Sequence, residues 1–137
     1  MNVFVAGASG AIGRPLVAEL VRWGHRVTGM TSSEAGARAL ADLGAAVARV
    51  NAFDAAGVEE ALRRSNAEVV IDELTALPRS PTEMAEAATG DRKLRLEGGG
   101  NLHRVARNPS AKTKTRLLAV ILHPRDAKET TVPEPKK

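Results

Sequence analysis

The sequence predicts an α/β fold in which helices cover both faces of a doubly wound parallel sheet. Apolar runs of strand length alternate with helical patterns at a spacing of roughly 20 to 25 residues. The first run leads directly into a glycine-rich loop, and the fourth is apolar almost throughout, as in strands buried on both faces. A chain of 137 residues has the length of about one domain, and its apolar runs predict four to five strands.

The first βαβ unit carries the clearest pattern. A strand is expected at Asn2–Ala6, and apolar residues then recur at helical spacing from Ile12 onward. Gly24 is expected to end this helix, because glycine readily adopts the conformation that closes helices. A second strand is expected at His25–Met30.

Two further helices and strands continue the alternation. Ser33 is placed to cap a helix over Ala35–Leu43, and Asp54 to cap a helix over Val58–Arg64, since both side chains accept hydrogen bonds from free N–H groups. The third and fourth strands are expected at Ala45–Val50 and Glu68–Asp72.

The pattern weakens beyond Leu77. One short helix is expected to end at Ala88. A second, over Lys93–Arg107, is interrupted by three consecutive glycines from Gly98, each of which costs about 1 kcal/mol relative to alanine. The apolar run in Thr115–Leu122 forms either a fifth strand or an edge helix.

Charge is distributed unevenly along the chain. Residues 1–90 carry a net charge of −3 and no lysine, whereas residues 91–137 carry +7 and all six lysines. This change predicts a domain over residues 1–107 and a basic tail, residues 108–137, that is largely disordered. The tail has no aromatic residue on which bases could stack, so a nucleic acid is not the expected partner.

Several residue types and patterns are absent. Without cysteine, the chain has no disulfide, no thiol nucleophile and no cysteine-bound metal. It has no apolar run of about 18 residues and no signal-peptide pattern, so we expect a cytoplasmic protein without membrane contact. The histidines lack zinc-ligand spacing, so we expect no metal site and surface positions for His25, His103 and His123.

The strongest motif is a glycine loop between the first strand and the first helix. Gly7 permits the tight turn, Gly10 lets a diphosphate approach the backbone, and Gly13 lets the helix pack on the strand. Free N–H groups at the helix start then face the anion, which predicts a dinucleotide cofactor. The loop residues expected to contact it are Gly7, Ser9, Gly10, Ala11, Ile12 and Gly13.

The opening Val3–Gly13 resembles that of the NAD-dependent epimerase/dehydratase family, the extended and atypical short-chain dehydrogenase/reductases, whose glycine pattern is GxxGxxG. The resemblance extends over the predicted domain and includes Asp72–Pro78 and Leu96–Leu102. Within the last stretch, Gly99 and Gly100 stand where threonine and arginine are more usual. The resemblance implies a Rossmann-like fold, here incomplete, and NAD(P)-dependent epimerase, dehydratase or reductase chemistry.

In that family a Tyr-x-x-x-Lys pair with an upstream Ser or Thr moves the proton. This chain has no tyrosine, so Lys112 and Lys114 lack that partner, and we expect no catalytic residue. Asp72 and Glu73 do not form a catalytic pair, because adjacent strand residues point to opposite faces. Two interpretations stay open: a truncated or frame-shifted relative, and a non-catalytic dinucleotide-binding regulator or subunit.

The end of the second strand bears on the choice of cofactor. It carries no acidic residue that would bind the adenine ribose and favour NAD, and Glu34 is assigned to the next helix. Arg14 can face a 2′-phosphate, and the hydroxyl groups of Ser32 and Ser33 can donate to it. The sequence therefore favours NADP over NAD.

The resemblance also places residues along the rest of the cofactor. Asn51 stands where the family usually has an Asp near the adenine, and its amide can bond the adenine edge. Leu74 and Thr75 would lie along the cofactor toward the nicotinamide.

The edge of an incomplete sheet would expose apolar surface and unpaired backbone groups. We therefore expect a homodimer through this edge, or poor solubility.

Overall fold

The computed structural model describes residues 1–76, 83–105 and 116–119. The five strands are β1 Asn2–Ala6, β2 Arg26–Thr31, β3 Ala46–Arg49, β4 Val69–Asp72 and β5 Arg116–Ala119. The five α-helices are α1 Gly13–Arg22, α2 Glu34–Asp42, α3 Ala55–Ser65, α4 Met84–Lys93 and α5 Gly99–Val105, with a π-helical turn, Leu94–Gly98, between the last two.

All strands are parallel, and their order across the sheet is β3-β2-β1-β4-β5. In the centre, Val3 of β1 lies opposite Val27 of β2 on one side and Val69 of β4 on the other. The chain therefore winds outward from β1 in one direction and returns to the other side of it with β4. This arrangement confirms the predicted doubly wound α/β fold.

Side chains of β1 alternate between two cores, as the period of a strand requires. Val3 and Val5 pack with α1 and α2 on one face, where Leu40 is fully buried. Phe4 packs with α3 and α5 on the other face, against residues that include Leu102. A strand buried on both faces explains the continuous apolar run.

Two predicted caps hold the helix starts. Ser33 Oγ accepts a hydrogen bond from the Gly36 N–H at 3.0 Å, and Asp54 Oδ1 accepts one from the Gly57 N–H at 3.0 Å. Both predictions are therefore confirmed, and α2 and α3 begin directly after their caps.

The helices that follow β4 differ from their prediction. Helix α4 continues to Lys93, beyond the expected end at Ala88, and the chain stays helical through the glycine triplet. A Cβ atom on Gly98 would lie 2.9 Å from the Cβ of Ala52, and one on Gly99 would lie 3.2 Å from a carboxylate oxygen of Asp72. The chain therefore stays helical here, and Gly98 and Gly99 fit close contacts that a side chain would crowd, whereas a Cβ on Gly100 would meet nothing within 4 Å.

The run at Thr115–Leu122 contains a strand, β5, that pairs with β4 so that Ile71 lies opposite Leu118. The strand alternative was therefore right, and the sheet extends into the segment that the sequence assigns to the tail. The other tail residues lie outside the described ones, so the boundary at 107 and the disorder remain predictions. None of the described helices is long and apolar enough to cross a membrane.

Candidate functional site

The carboxyl ends of the parallel strands lie along one edge of the sheet, and the predicted site residues follow the ends of β1, β2, β3 and β4. The strand order reverses between β1 and β4, and ligands of open α/β sheets bind outside the strand ends at such a point. The glycine loop is located there, directly after β1.

Gly7 starts this loop in the left-handed region, with φ of 72°. A Cβ atom there would collide with the backbone carbonyl of Glu73, which follows β4. Only glycine fits both the conformation and the contact. The loop therefore rests directly on the chain after β4.

The other two glycines of the loop differ in their surroundings. A Cβ on Gly13 would collide with the carbonyl of Gly7 and with Ala8, so α1 packs tightly on the loop. Gly10 donates its N–H to the Gly7 carbonyl at 2.9 Å and is itself exposed. The outer face of the loop is thus open backbone at Gly10.

Two backbone donors stand beside Gly10. Among the residues that the structure describes, the exposed Ala11 and Ile12 have no acceptor for their N–H groups. These groups lie at the start of α1, where the helix dipole attracts an anion. We call the backbone of residues 7–13 the cradle; its open face and free donors fit a diphosphate.

A pair of hydroxyl groups ties the cradle to the end of β2. Ser9 Oγ lies 2.8 Å from Oγ1 of Thr31, which is buried and also accepts a hydrogen bond from the Ser33 N–H at 3.4 Å. Gly36 in the first turn of α2 lets that helix approach Thr31. Ser32, by contrast, is exposed and makes no hydrogen bond to any described residue. Sequence reasoning did not single out Thr31, whose only signal was a hydroxyl at a strand end.

An ion-pair cluster lies at the start of α2. Glu34 begins this helix, as predicted, and accepts hydrogen bonds from Arg49 at 2.6 Å and from Arg38 at 3.4 Å. Arg49 is the last residue of β3 and lies opposite Thr31 in the sheet. We did not predict the contact between Glu34 and Arg49, because it spans 15 residues and has no local pattern.

Arg14 lies one residue beyond the cradle, on α1. It is exposed and forms no ion pair with the described part of the chain. With Gly10 and Ala11 it lines a shallow depression on the surface. Its guanidinium is therefore available to an anion at the cradle.

The loop after β3 contains Asn51. Its Oδ1 accepts a hydrogen bond from the Phe53 N–H at 3.0 Å, so the amide oxygen holds the loop itself. Asn101 of α5 donates to the carbonyl of Ala52 at 3.1 Å and fixes the loop from the other side. For a cofactor, Asn51 retains its amide NH₂ group.

Two acidic residues end β4 and follow it. Asp72 Oδ1 accepts from the Leu74 N–H at 3.0 Å, and its other oxygen lies 3.7 Å from Nε2 of His103. Burial raises the pKa of Asp72, although the Leu74 N–H, His103 and Arg95 act in the opposite direction. Burial, and secondarily the charge of Asp72, also raise the pKa of Glu73.

His103 was expected at the surface, and 46% of its side chain is exposed, yet it contacts Asp72. Half-buried Leu74 and Thr75 continue from Asp72 along the same edge of the sheet. Across residues 1–76, 83–105 and 116–119, no group of three His, Cys, Asp or Glu side chains is placed to hold a metal ion.

The sequence of this chain is similar to that of a known protein family and of a known reductase. The model of the NAD dependent epimerase/dehydratase family matches residues 3–120. A 3-diazoavenalumate denitrifying reductase from Streptomyces sp is 37% identical over 119 residues, which make up 87% of this chain and 37% of the reductase.

Solved structures of similar fold include UDP-glucose 4-epimerase from Thermus thermophilus, in complex with NAD. The TM-score is 0.67 at 29% identity, over 77% of this chain and 33% of the epimerase. The Bordetella bronchiseptica enzyme WbmG, in complex with NAD and UDP, shares the fold with a TM-score of 0.63 at 22% identity, over 87% and 37% of the two chains. This chain thus spans about a third of the length of these proteins.

Proposed function

Because this chain belongs to the NAD dependent epimerase/dehydratase family, we propose that it binds NAD(P) along the carboxyl edge of its sheet, with the diphosphate in the cradle. One observation carries the proposal. Gly10 leaves the outer face of the cradle without a Cβ, and the N–H groups of Ala11 and Ile12 have no acceptor among the described residues. Such donors at a helix start bind phosphate groups.

The remaining site residues suggest how the dinucleotide lies. Ser32 follows β2 and would face the adenine ribose, and the amide NH₂ of Asn51 would face the adenine. Leu74 and Thr75 would line the nicotinamide half of the cofactor beside β4. The related epimerase of 29% identity was solved with NAD, which supports this class of ligand.

The bound nicotinamide would supply a site for hydride transfer. The residues of this chain bind and orient the cofactor, but they include no tyrosine that could move the accompanying proton. We therefore infer dinucleotide binding without turnover by this chain alone. The second candidate function is that of a non-catalytic regulator or subunit that binds a dinucleotide. The absence of tyrosine favours this function too.

Calorimetric titration of the purified chain with NADPH and, separately, with NADH tests the proposal. We expect saturable binding that Gly10→Ala weakens about tenfold or more, because the new Cβ occupies the approach of the diphosphate. Gly90→Ala is the matched control, since nothing lies within 4 Å of a Cβ at that position on α4.

Equal affinities of the two variants would show that the cradle does not hold the diphosphate. The absence of binding to a folded wild-type chain would contradict the proposed function altogether. A change in nicotinamide absorbance during incubation with nucleotide sugars would contradict the inference that this chain alone does not turn over, since only a catalyst would produce it.

We also propose that the chain forms a homodimer through an edge of its sheet. Strand β5 is an edge strand, and its outer side pairs with no described residue. Edge strands expose a row of backbone donors and acceptors that can pair with a second copy. Sedimentation at micromolar concentration tests this, and a single species with the monomer mass of 14.4 kDa would contradict it.

A further inference from the structure

The ion-pair cluster of Glu34, Arg38 and Arg49 has an excess of positive charge. One carboxylate faces two guanidinium groups, at 2.6 Å for Arg49 and 3.4 Å for Arg38. All three side chains are more than half exposed, so the charge is accessible to a ligand. The cluster therefore presents a net charge of about +1, since arginine stays protonated in proteins.

The two arginines differ in their position. Arg49 ends β3, and its register partner is Thr31, the last residue of β2. The next residue, Val50, donates its N–H to the Thr31 carbonyl at 3.0 Å, which fixes the two strand ends together. Arg38 is located one turn into α2. Only Arg49 therefore stands in the sheet beside the strand end that leads to Ser32.

This end of β2 is where the adenine ribose lies in the proposed function, on which the present inference rests. An acidic residue about 20 positions after the glycine loop commonly binds the ribose 2′-hydroxyl, and a nearby arginine accommodates a 2′-phosphate. Glu34 follows the last loop glycine, Gly13, at about that distance. Both of its carboxylate oxygens already accept from arginines, so it offers the ribose little.

We propose that Arg49 recognises the 2′-phosphate of the adenine ribose and makes the chain selective for NADP(H) over NAD(H). Glu34 is the ion-pair partner of its guanidinium. A guanidinium has five N–H donors, so Arg49 can bind a phosphate oxygen while it keeps its contact with Glu34. The 2′-phosphate then completes the charge balance of the cluster. Arg49 thereby supplies the cation that Ser32, a neutral residue, does not.

Calorimetric titration with NADP⁺ and NAD⁺ tests this assignment. We expect Arg49→Gln to weaken NADP⁺ binding about tenfold or more and to change NAD⁺ binding less than about twofold. Arg38→Gln is the matched control, because it removes the same charge and the same partner of Glu34 at a position away from the strand end. It should change NADP⁺ affinity by less than about threefold. Equal thermal unfolding midpoints would show that both variants fold.

A third variant, Glu34→Gln, tests whether Glu34 is only the ion-pair partner of Arg49 or itself accepts a hydrogen bond from the ribose hydroxyl. We expect it to bind NADP⁺ at least as tightly as the wild type, because a negative charge beside the phosphate is removed. Weaker NAD⁺ binding with unimproved NADP⁺ binding would overturn the assignment and make Glu34 the acceptor of the ribose hydroxyl. Equal losses in Arg49→Gln and Arg38→Gln would also overturn it.

The failure of this inference can be distinguished from the failure of the proposed function. A wild-type chain that prefers NAD⁺, or binds both nucleotides equally, would refute the role of Arg49 and leave dinucleotide binding intact. A folded wild-type chain that binds neither nucleotide would refute both.

Discussion

Nε2 of His103 lies 3.7 Å from a carboxylate oxygen of Asp72, so helix α5 meets the end of β4 through a polar contact. Arg95 is close enough to lower the pKa of Asp72 as well, and it is itself paired with Asp91 at 2.6 Å. The burial of Asp72 nevertheless outweighs these partners, since its pKa is raised overall.

The raised pKa of Asp72 predicts how stability depends on pH. The folded state holds this proton more tightly than the unfolded state, so the contribution of Asp72 to stability is present below its ordinary pKa and is lost as pH rises through the folded value. We expect Asp72→Asn to unfold at higher urea concentration than the wild type at neutral pH. The difference should shrink in acid below about pH 4, where both side chains are neutral.

Urea unfolding followed by circular dichroism across this pH range measures the effect. Glu59→Gln is the control, because Glu59 is exposed on α3 and forms no hydrogen bond or ion pair with a described residue. A less stable Asp72→Asn at neutral pH would mean that attraction to His103 and Arg95 exceeds the penalty of burial.

The contact between Gly7 and Glu73 predicts that a single methyl group added at Gly7 strongly lowers the stability of the fold. We expect Gly7→Ala to destabilise the fold by about 3 kcal/mol or more, because the Cβ collides with a backbone carbonyl in addition to the strain of a positive φ. Gly24→Ala carries the same strain at φ of 80° but meets nothing within 4 Å, so it should cost only about 1 kcal/mol. Thermal unfolding compares the two, and similar losses would show that the collision is relieved.

Within the glycine triplet, alanine is expected to lower the stability of the fold at Gly98 and to raise it at Gly100. Gly98→Ala should destabilise the chain by about 1 to 3 kcal/mol, since its Cβ would be 2.9 Å from that of Ala52. Gly100→Ala meets open space and should stabilise the helix by up to about 1 kcal/mol. Chemical unfolding of both variants tests this, and a stable Gly98→Ala would show that the π-helical turn can shift away from Ala52.

The cap at the start of α2 predicts that substitution of Ser33 lowers stability more than substitution of the adjacent Ser32. Ser33→Ala removes the acceptor of the Gly36 N–H and should cost about 1 kcal/mol. Ser32→Ala removes no hydrogen bond to a described residue and should change stability by less than about 0.5 kcal/mol. If the two unfolding midpoints coincide, water replaces the cap without loss.

The parts of this molecule that follow from local pattern could be predicted from the sequence. The strand, loop and helix over Asn2–Arg22 depend on period and on glycines at fixed positions, and the caps at Ser33 and Asp54 depend on the residue type before a helix. Each of these signals is contained within a few neighbouring residues, so one sequence suffices to find it.

Contacts between distant segments could not be predicted. Ser9 meets Thr31, and Glu34 meets Arg49, only because the parallel register places their strand ends together. The glycines after Glu97 gave a misleading signal for the same reason. Their low helix propensity is visible in the sequence, whereas the proximity of Ala52, which favours glycine at Gly98, arises only in the folded chain.

The support of Gly7 by Glu73 also governs the order in which the site can form during synthesis. The loop emerges from the ribosome early, and β1 can pair with β2 soon afterwards, but the carbonyl beneath Gly7 is added only after three helices and β4. The nascent chain therefore carries a loop with the correct sequence and no rigid support. Under the proposed function, the cofactor would therefore meet a supported cradle only after β4 has been synthesised.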